Sequence, residues 1–446
     1  MNTPICDFVR KYADEKTLRL HMPGHKGNSA LGLEHLDITE IKGADSLYTA
    51  DGIIQESENN ASAIFGCDTF YSTEGSSLCI RAMLYLVTLL AFERKQKPLI
   101  FASRNAHKTF LSSASLLDFD IEWFASDNDE SYLSFSITAD KLDSVLKNAI
   151  QKPTAVYVTS PDYLGNTLDI KGIAEVCHKY GVLLLVDNAH GAYLHFLEDS
   201  KHPISLGADM CCDSAHKTLP VLTGGAYLHI SKNAPMLFLE QAKNALSLFG
   251  STSPSYLILQ SLDLANKYLA DGYREKLSSF AVKIKSICDK LEKHGYELSG
   301  NEILKITVKT KKYGYTGIDL AEILRTKNIE CEFSDPDYVV FMLTPEMNDS
   351  CLKVLEDAML SIPRKDEIKS KPPVQRLPKK ILSVREATFS PKETLDVKDC
   401  IGRVLAFSEV GCPPAVPIII SGEEIDENAL ECFTYYGIEN CIVVKQ

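Results

Sequence analysis

The sequence predicts an α/β fold: a large domain on a mostly parallel sheet, a smaller α/β domain and a C-terminal α/β tail domain. Three observations carry that expectation. Between about residues 70 and 230, short apolar runs alternate with helical patterns, which reads as strands joined by crossover helices. Residues with chemical character (Gly75, His107, Thr159, Asp187 and Lys217) fall at or just past the predicted strand ends, where such sheets bind ligands. The 446 residues, 45% of them hydrophobic, suffice for two or three domains with their own cores. The expected boundaries are an N-terminal arm (1–45), the large domain (46–245), linking helices (246–300), the small domain (301–370) and the C-terminal domain (371–446).

Ile5 to Tyr12 reads as a short helix. The stretch from Leu18 to Gly27 has the Pro and Gly punctuation of a loop and crowds His21, His25 and Lys26 together. A turn with exposed basic residues and a site loop both account for it. Ile53 to Phe65 is helical in spacing and is broken by Gly66. Phe70-Tyr-Ser-Thr-Glu-Gly-Ser-Ser77 then opens an apolar helix, Leu78 to Phe92. Gly75, Ser76 and Ser77 offer free backbone N–H groups and two hydroxyls at the positive end of a helix dipole, which makes an anion site. The plainer alternative is a serine N-cap. Lys97 to Ser103 reads as a strand. Arg104-Asn-Ala-His107-Lys-Thr leads into a helix, and Ile121 to Ala125 is a strand with the single Trp, Trp123. Ser136 to Ala149 is a helix, Ala155 to Pro161 a buried strand and Ile170 to Tyr180 a helix.

Val182 to Asp187 is an apolar strand ending in a carboxylate, followed by Asn-Ala189-His190-Gly. Further on come another short apolar run, Ser214-Ala-His216-Lys217, and a strand from Gly224 to Ile230. A polar turn, Ser247 to Tyr256, precedes a helix, Leu257 to Leu269, which Ser253 or Ser255 would cap. A long helix then runs to about Gly295. Ile303 to Thr310 and Tyr338 to Leu343 read as strands and Gly317 to Lys327 as a helix. Between them Glu330-Cys-Glu332-Phe-Ser-Asp335 is either surface charge or a reader of a substrate's distal cation. Arg364 to Lys380 is a basic, Pro-containing linker to the tail.

Lysine serves in Schiff bases because its amine is nucleophilic once its pKa falls. Ser214 and His216 beside Lys217 suit a phosphate. A strand-end carboxylate such as Asp187 can keep a pyridine nitrogen protonated, so that the ring acts as an electron sink. The three together point to pyridoxal 5'-phosphate (PLP).

Ser214-x-His216-Lys217, Asp187-x-Ala189-His190 and His21-Met-Pro-Gly-His25-Lys26-Gly27 together resemble the PLP-dependent ornithine/lysine/arginine decarboxylase family, in a short form. The resemblance runs from about residue 5 to the C-terminus. It implies the aspartate-aminotransferase type of fold and decarboxylation of a basic amino acid in polyamine-type metabolism. A transaminase or lyase reaction on the same scaffold stays open, as does a non-catalytic homologue acting as a partner protein. By resemblance Lys217 holds PLP, Asp187 meets its ring nitrogen, and His190 or Lys217 returns a proton to the substrate carbon. His107 stacks on one ring face and Ala189 packs on the other. As a lone residue, His107 could equally sit at a helix N-terminus. Gly75, Ser76, Ser77, Ser214 and His216 hold the phosphate. Ser251 and Thr252 reach the phosphate of a partner subunit, implying a homodimer or higher homo-oligomer. The His21–Lys26 loop lies near the cofactor. Asp162 stands for Thr in a turn resembling the family's Ser-Pro-Thr-Tyr-x-Gly, and two places in the C-terminal domain also depart from the family pattern. Cys412 and Ala415 replace Tyr and Gly in Cys412-Pro-Pro-Ala-Val-Pro417, and Phe407 stands where a Glu is usual.

Net charge is 47 − 60 = −13, which argues against a nucleic-acid partner. Simple solubility accounts for the acidity, and a cationic substrate suits it. The first 19 residues are polar and charged, and no apolar run approaches membrane-spanning length. Thirteen cysteines without a secretion signal suggest reduced thiols in a cytoplasm. Cys211 and Cys212 are adjacent, which is poor zinc-ligand spacing, so no metal site is expected.

Overall fold

The structure, a computed structural model, describes residues 1–28, 30–124, 126, 131–407 and 414–445. Cys412, singled out above, lies outside the described residues.

In chain order, α1 (Pro4–Asp14) starts on a proline, whose missing N–H costs nothing in a first turn. α2 (Ile53–Phe65) stops at Gly66, which takes φ 71°. β1 (Asp68–Ser72) runs into α3 (Gly75–Glu93), which takes in the Gly-Ser-Ser turn as its first residues. β2 (Leu99–Ala102), α4 (Lys108–Leu117) and β3 (Asp120–Trp123) follow. α5 (Ala139–Asn148) starts later than the expected Ser136 because the Thr138 side chain caps it, accepting from the Lys141 N–H. Then come β4 (Ala155–Thr159), α6 (Ile170–Lys179) and β5 (Leu183–Asp187). β6 (Met210–Asp213), the single turn α7 (Ala215–Thr218) and β7 (Ala226–Ile230) complete this region.

α8 (Met236–Phe249), α9 (Tyr256–Ala270) and α10 (Tyr273–His294) are three separate helices. The last two part at Asp271-Gly272, where Gly272 has φ 77°. β8 (Glu297–Ser299), β9 (Lys305–Lys309), α11 (Gly317–Arg325), β10 (Phe333–Ser334), β11 (Tyr338–Met342) and α12 (Asp349–Leu360) come next. The tail holds α13 (Val384–Phe389), β12 (Lys392–Asp396), β13 (Leu405–Phe407), α14 (Glu427–Tyr435) and β14 (Asn440–Val444).

These elements fall into two compact units, each built from two chain segments. The first holds residues 1–96 and 183–277, the second 97–182 and 278–446. In the first unit the strand order is β1-β7-β6-β5. β5 and β6 are parallel, whereas β7 runs antiparallel to both β6 and β1. α3 is long and apolar enough to cross a membrane by composition, but Leu78, Met83, Leu86 and Val87 are buried in the protein. In the second unit β4, β2 and β3 are parallel neighbours. That unit also has an antiparallel sheet of order β10-β11-β9-β8 and another of order β12-β14-β13. Leu405, Ile418, Ile425, Phe433 and Val443 form the core of the tail.

The fold is thus α/β, with a mixed main sheet whose strands are mostly parallel, as the sequence predicts. Ala415 takes φ 58° where the family pattern has glycine. An L-residue there costs about 1–2 kcal/mol. The strained carbonyl accepts a hydrogen bond from the Lys108 N–H at 2.8 Å.

Candidate active site

β5 is buried along its whole length, as a strand covered on both faces must be. It ends on Asp187, only 3% exposed. In the register of β5 and β6, Asp187 pairs with Cys212. Asp187 Oδ1 accepts from the Ala189 N–H at 3.2 Å and from the Cys212 thiol at 3.6 Å. Burial pushes that thiol well above its usual range, so it stays a donor. A buried carboxylate is costly unless charge or hydrogen bonds meet it.

β6 ends one residue before Ser214, and the short α7 then presents Lys217. Lys217 Nζ lies 2.9 Å from His190 Nε2. A hydrogen bond at that distance needs one proton between the two nitrogens, so this pair can hand a proton back and forth. The Ser214 hydroxyl donates to Ser76 Oγ at 2.7 Å, which brings two predicted anion-site residues together.

Gly75 opens α3 with φ 72°, and no heavy atom lies within 4 Å of where its Cβ would be. Its N–H donates to Gly224 O at 2.7 Å. Gly224 must be glycine: its φ is 99°, and a Cβ would sit 2.8 Å from Thr73 O. Glu74 accepts from the Ser251 N–H at 2.6 Å, so the turn with Ser251 and Thr252 is tied to the residue just before Gly75. Both turn residues are exposed. Ser255, not Ser253, caps α9, accepting from the Ile258 N–H.

His216 is the predicted phosphate ligand with the most constrained chemistry. Burial pulls its pKa down, while its bond to Gly225 O pulls the other way. Nδ1 donates to that carbonyl at 3.0 Å, which leaves Nε2 an acceptor in the neutral ring. His216 donates from Nε2 only when a second proton is drawn on, as a phosphate dianion beside it would do.

The arm residues bond mainly among themselves. His21 Nε2 is 2.7 Å from the Tyr12 hydroxyl, His25 Nε2 is 3.2 Å from Asp37, and Lys26 donates to His21 O. In the second unit His107 is the N-cap of α4, its Nδ1 accepting from the Thr109 N–H at 3.1 Å. Glu332 accepts from the Tyr163 hydroxyl at 2.8 Å. Asp335 Oδ1 accepts from the backbone N–H groups of Asp337 and Tyr338, which makes it a turn residue.

Sequence reasoning missed a buried cluster directly behind this site. Asp213, at the end of β6, is fully buried. Its Oδ2 accepts from His202 Nε2 and His229 Nε2, each at 3.1 Å. Its Oδ1 accepts from the Asn188 amide at 2.6 Å. Burial alone would raise the Asp213 carboxyl, but the two imidazoles outweigh it and hold it below the usual carboxylate range. His202, Cys211 and Asp213 bring potential metal-ligand atoms within 4.8 Å of one another. Burial keeps the Cys211 thiol well above its ordinary range, and both imidazole Nε atoms face Oδ2 at hydrogen-bond distance. The cluster is therefore a carboxylate shared by two histidines. Cys211 pairs with His229 across β6 and β7, and Asp213 lies two residues on, on the same face. That alternation was readable; the antiparallel pairing that gives it meaning was not.

The residues present fit PLP. A lysine in hydrogen-bond contact with a histidine, a buried strand-end carboxylate and a helix start with paired hydroxyls lie in one unit, and buried Thr218 Oγ1, next to Lys217, has no hydrogen-bond partner. Together they define a class: α/β proteins with a lysine-centred site at the strand ends.

The chain belongs to the ornithine/lysine/arginine decarboxylase family. The family described as Orn/Lys/Arg decarboxylase, major domain, matches residues 3–309. Arginine decarboxylase of Bacillus subtilis is 29% identical over 462 residues, spanning 95% of this chain and 91% of that protein. Arginine decarboxylase of Halalkalibacterium halodurans is 30% identical over 467 residues, spanning 96% and 92%. Among solved structures, a Francisella novicida lysine decarboxylase has the same fold, with TM-score 0.81 and 16% identity. That match covers 99% of this chain and 81% of the other.

Proposed function

We propose that this chain is a cytoplasmic, homodimeric, PLP-dependent decarboxylase of a basic amino acid, yielding CO2 and the corresponding amine for polyamine-type metabolism. The observation that carries the reading is the Lys217–His190 contact at 2.9 Å, in the same unit as the buried Asp187. Family membership and the arginine and lysine decarboxylases above support a basic substrate. They keep arginine, lysine and ornithine all in play.

When bound, PLP supplies an aldehyde for an amine and a ring that accepts an electron pair. The chain's own residues do the rest. Lys217 offers its neutral amine, and His190 Nε2 takes up the proton that the amine must shed. Asp187 holds a proton on the ring nitrogen by a charge-assisted hydrogen bond, worth roughly 1.5–3 kcal/mol. Ser76, Ser77, Ser214 and His216 bind the phosphate at the start of α3, where the dipole favours an anion. Ala189 is small enough to leave room beside the ring. Lys217 or His190 then returns a proton to the substrate carbon.

The test is incubation of the protein and PLP with arginine, lysine and ornithine in turn, with products identified by mass. An amine from one of them is expected. A keto acid would mean transamination instead, and no product from any would favour a non-catalytic homologue. Borohydride reduction and peptide mapping should mark Lys217, and a mark at Lys26 or Lys108 would refute its role.

A further inference from the structure

Asn188 lies between Asp187 and the Ala189-His190 turn, is completely buried and is gripped at three points. Its N–H donates to Cys212 O at 3.1 Å, and its carbonyl accepts from the Gly191 N–H at 2.8 Å. Its side-chain amide donates to Asp213 Oδ1 at 2.6 Å. The amide is packed so closely that a Cβ on residue 191 would stand 2.0 Å from Asn188 Oδ1. Glycine at 191 leaves room for the Asn188 amide in this position.

The third grip has support of its own. His202 and His229 approach Asp213 Oδ2 from edge-to-face rings whose centroids are 5.1 Å apart. His229 is in turn set by Thr69 Oγ1, 2.9 Å from its Nδ1, and by the Phe65 ring at 4.6 Å. A scaffold with no other need would fill this space with apolar side chains, since buried charge is rarely the more stable choice. Here the buried carboxylate spends one oxygen on two imidazoles and the other on the single amide that sits in the site's main turn.

We propose that Asp213, backed by His202 and His229, is a positioning residue that acts through the Asn188 amide to fix the Asp187-to-His190 turn. It thereby aims the Asp187 carboxylate and sets the His190 imidazole against Lys217. The inference rests on the reading of Asp187 and Lys217 as the residues that hold PLP. It adds a layer that neither residue supplies: a buried charge transmitted by one amide to both ends of a four-residue turn. A displacement of about 1 Å in such groups is enough to cost ~100-fold in rate.

The experiment uses the full-length holoprotein and three variants, Asp213→Asn, Asn188→Ala and the double variant. Two quantities are read without any substrate: the PLP dissociation constant per folded chain, and the wavelength and pH midpoint of the visible band of bound PLP. Asn188→Ala leaves the Asp213–histidine cluster in place, so it remains informative if Asp213→Asn fails to fold. Each single variant is expected to weaken PLP by ~10-fold or more and to shift the band. The double variant should be no worse than the weaker-binding single, because both act on one link. Folded Asn188→Ala with wild-type affinity and band overturns the inference, and so do single effects that multiply in the double. Asp187→Asn and Lys217→Ala are the controls. If they too leave PLP binding and its band unchanged, the reading of the site itself fails. If they disturb both while Asn188→Ala does not, only the positioning role fails.

Discussion

At the scale of single residues, the two most telling groups are buried carboxylates, Asp187 and Asp335. Asp187 ends a fully buried strand, and under the proposed function its value would lie in its charge. Asp187→Asn keeps the shape and is expected to leave a folded protein whose turnover falls by orders of magnitude, measured as amine formed per PLP-bound chain. Lost folding with unchanged turnover per folded site would mean that Asp187 serves the scaffold alone. Asp335 lies in the second unit. Burial pushes its carboxyl up to about 7, against the pull of the Asp337 and Tyr338 N–H groups. Its Oδ2 is buried without a hydrogen-bond partner. Between the unfolded value near 4 and the folded value, the native state keeps a proton that the unfolded chain has lost. This contribution to stability is therefore complete below about pH 4 and is lost as pH rises through about 7. Asp335→Asn removes that slope. Urea denaturation should find the variant close to wild type at pH 4–5 and more stable than wild type at pH 8.

At the scale of elements, the helix starts distinguish a capping serine from the serines proposed to bind phosphate. Ser255 caps α9. Ser255→Ala should cost roughly 1 kcal/mol of stability in denaturant melts and leave PLP affinity per folded chain unchanged. Gly224→Ala brings both a positive-φ strain and a contact with Thr73 O, and it moves the carbonyl that holds the Gly75 N–H. It should lower both the melting temperature and PLP affinity. Much of this level was legible in the sequence. The α2 boundaries, the strand ending in Asp187 and the helix opening at Gly75-Ser76-Ser77 follow from periodicity and turn chemistry. What escaped has a physical reason in each case. α5 starts late because a threonine cap outranks the apolar pattern. α8 is half apolar on its exposed side, with Met236, Leu239 and Leu248 outward, and gives no clean period. The Asp213 cluster needs His202, from an irregular stretch, and His229, from a strand whose antiparallel direction no local pattern announces.

At the scale of the whole molecule, the first expectation concerns assembly. Ser251 and Thr252 are exposed on a turn anchored to Glu74, the residue before the proposed anion site at Gly75. Sedimentation is expected to find a dimer, and a fully active monomer would sink that reading. A second consequence comes from the way the first unit is threaded. Its strand β1 begins at Asp68, yet its antiparallel partner residue is Ile230. During synthesis the early segment leaves the ribosome long before its neighbour exists. Non-local pairing of this kind is slow, because loop closure must precede any reward from contact. The first 96 residues, with the apolar α3 among them, are therefore expected to stay unfolded over that interval. Stalled nascent chains provide the measurement. Chains arrested near residue 180 should be cut by protease throughout their first 96 residues, whereas chains released beyond residue 277 should have become resistant there.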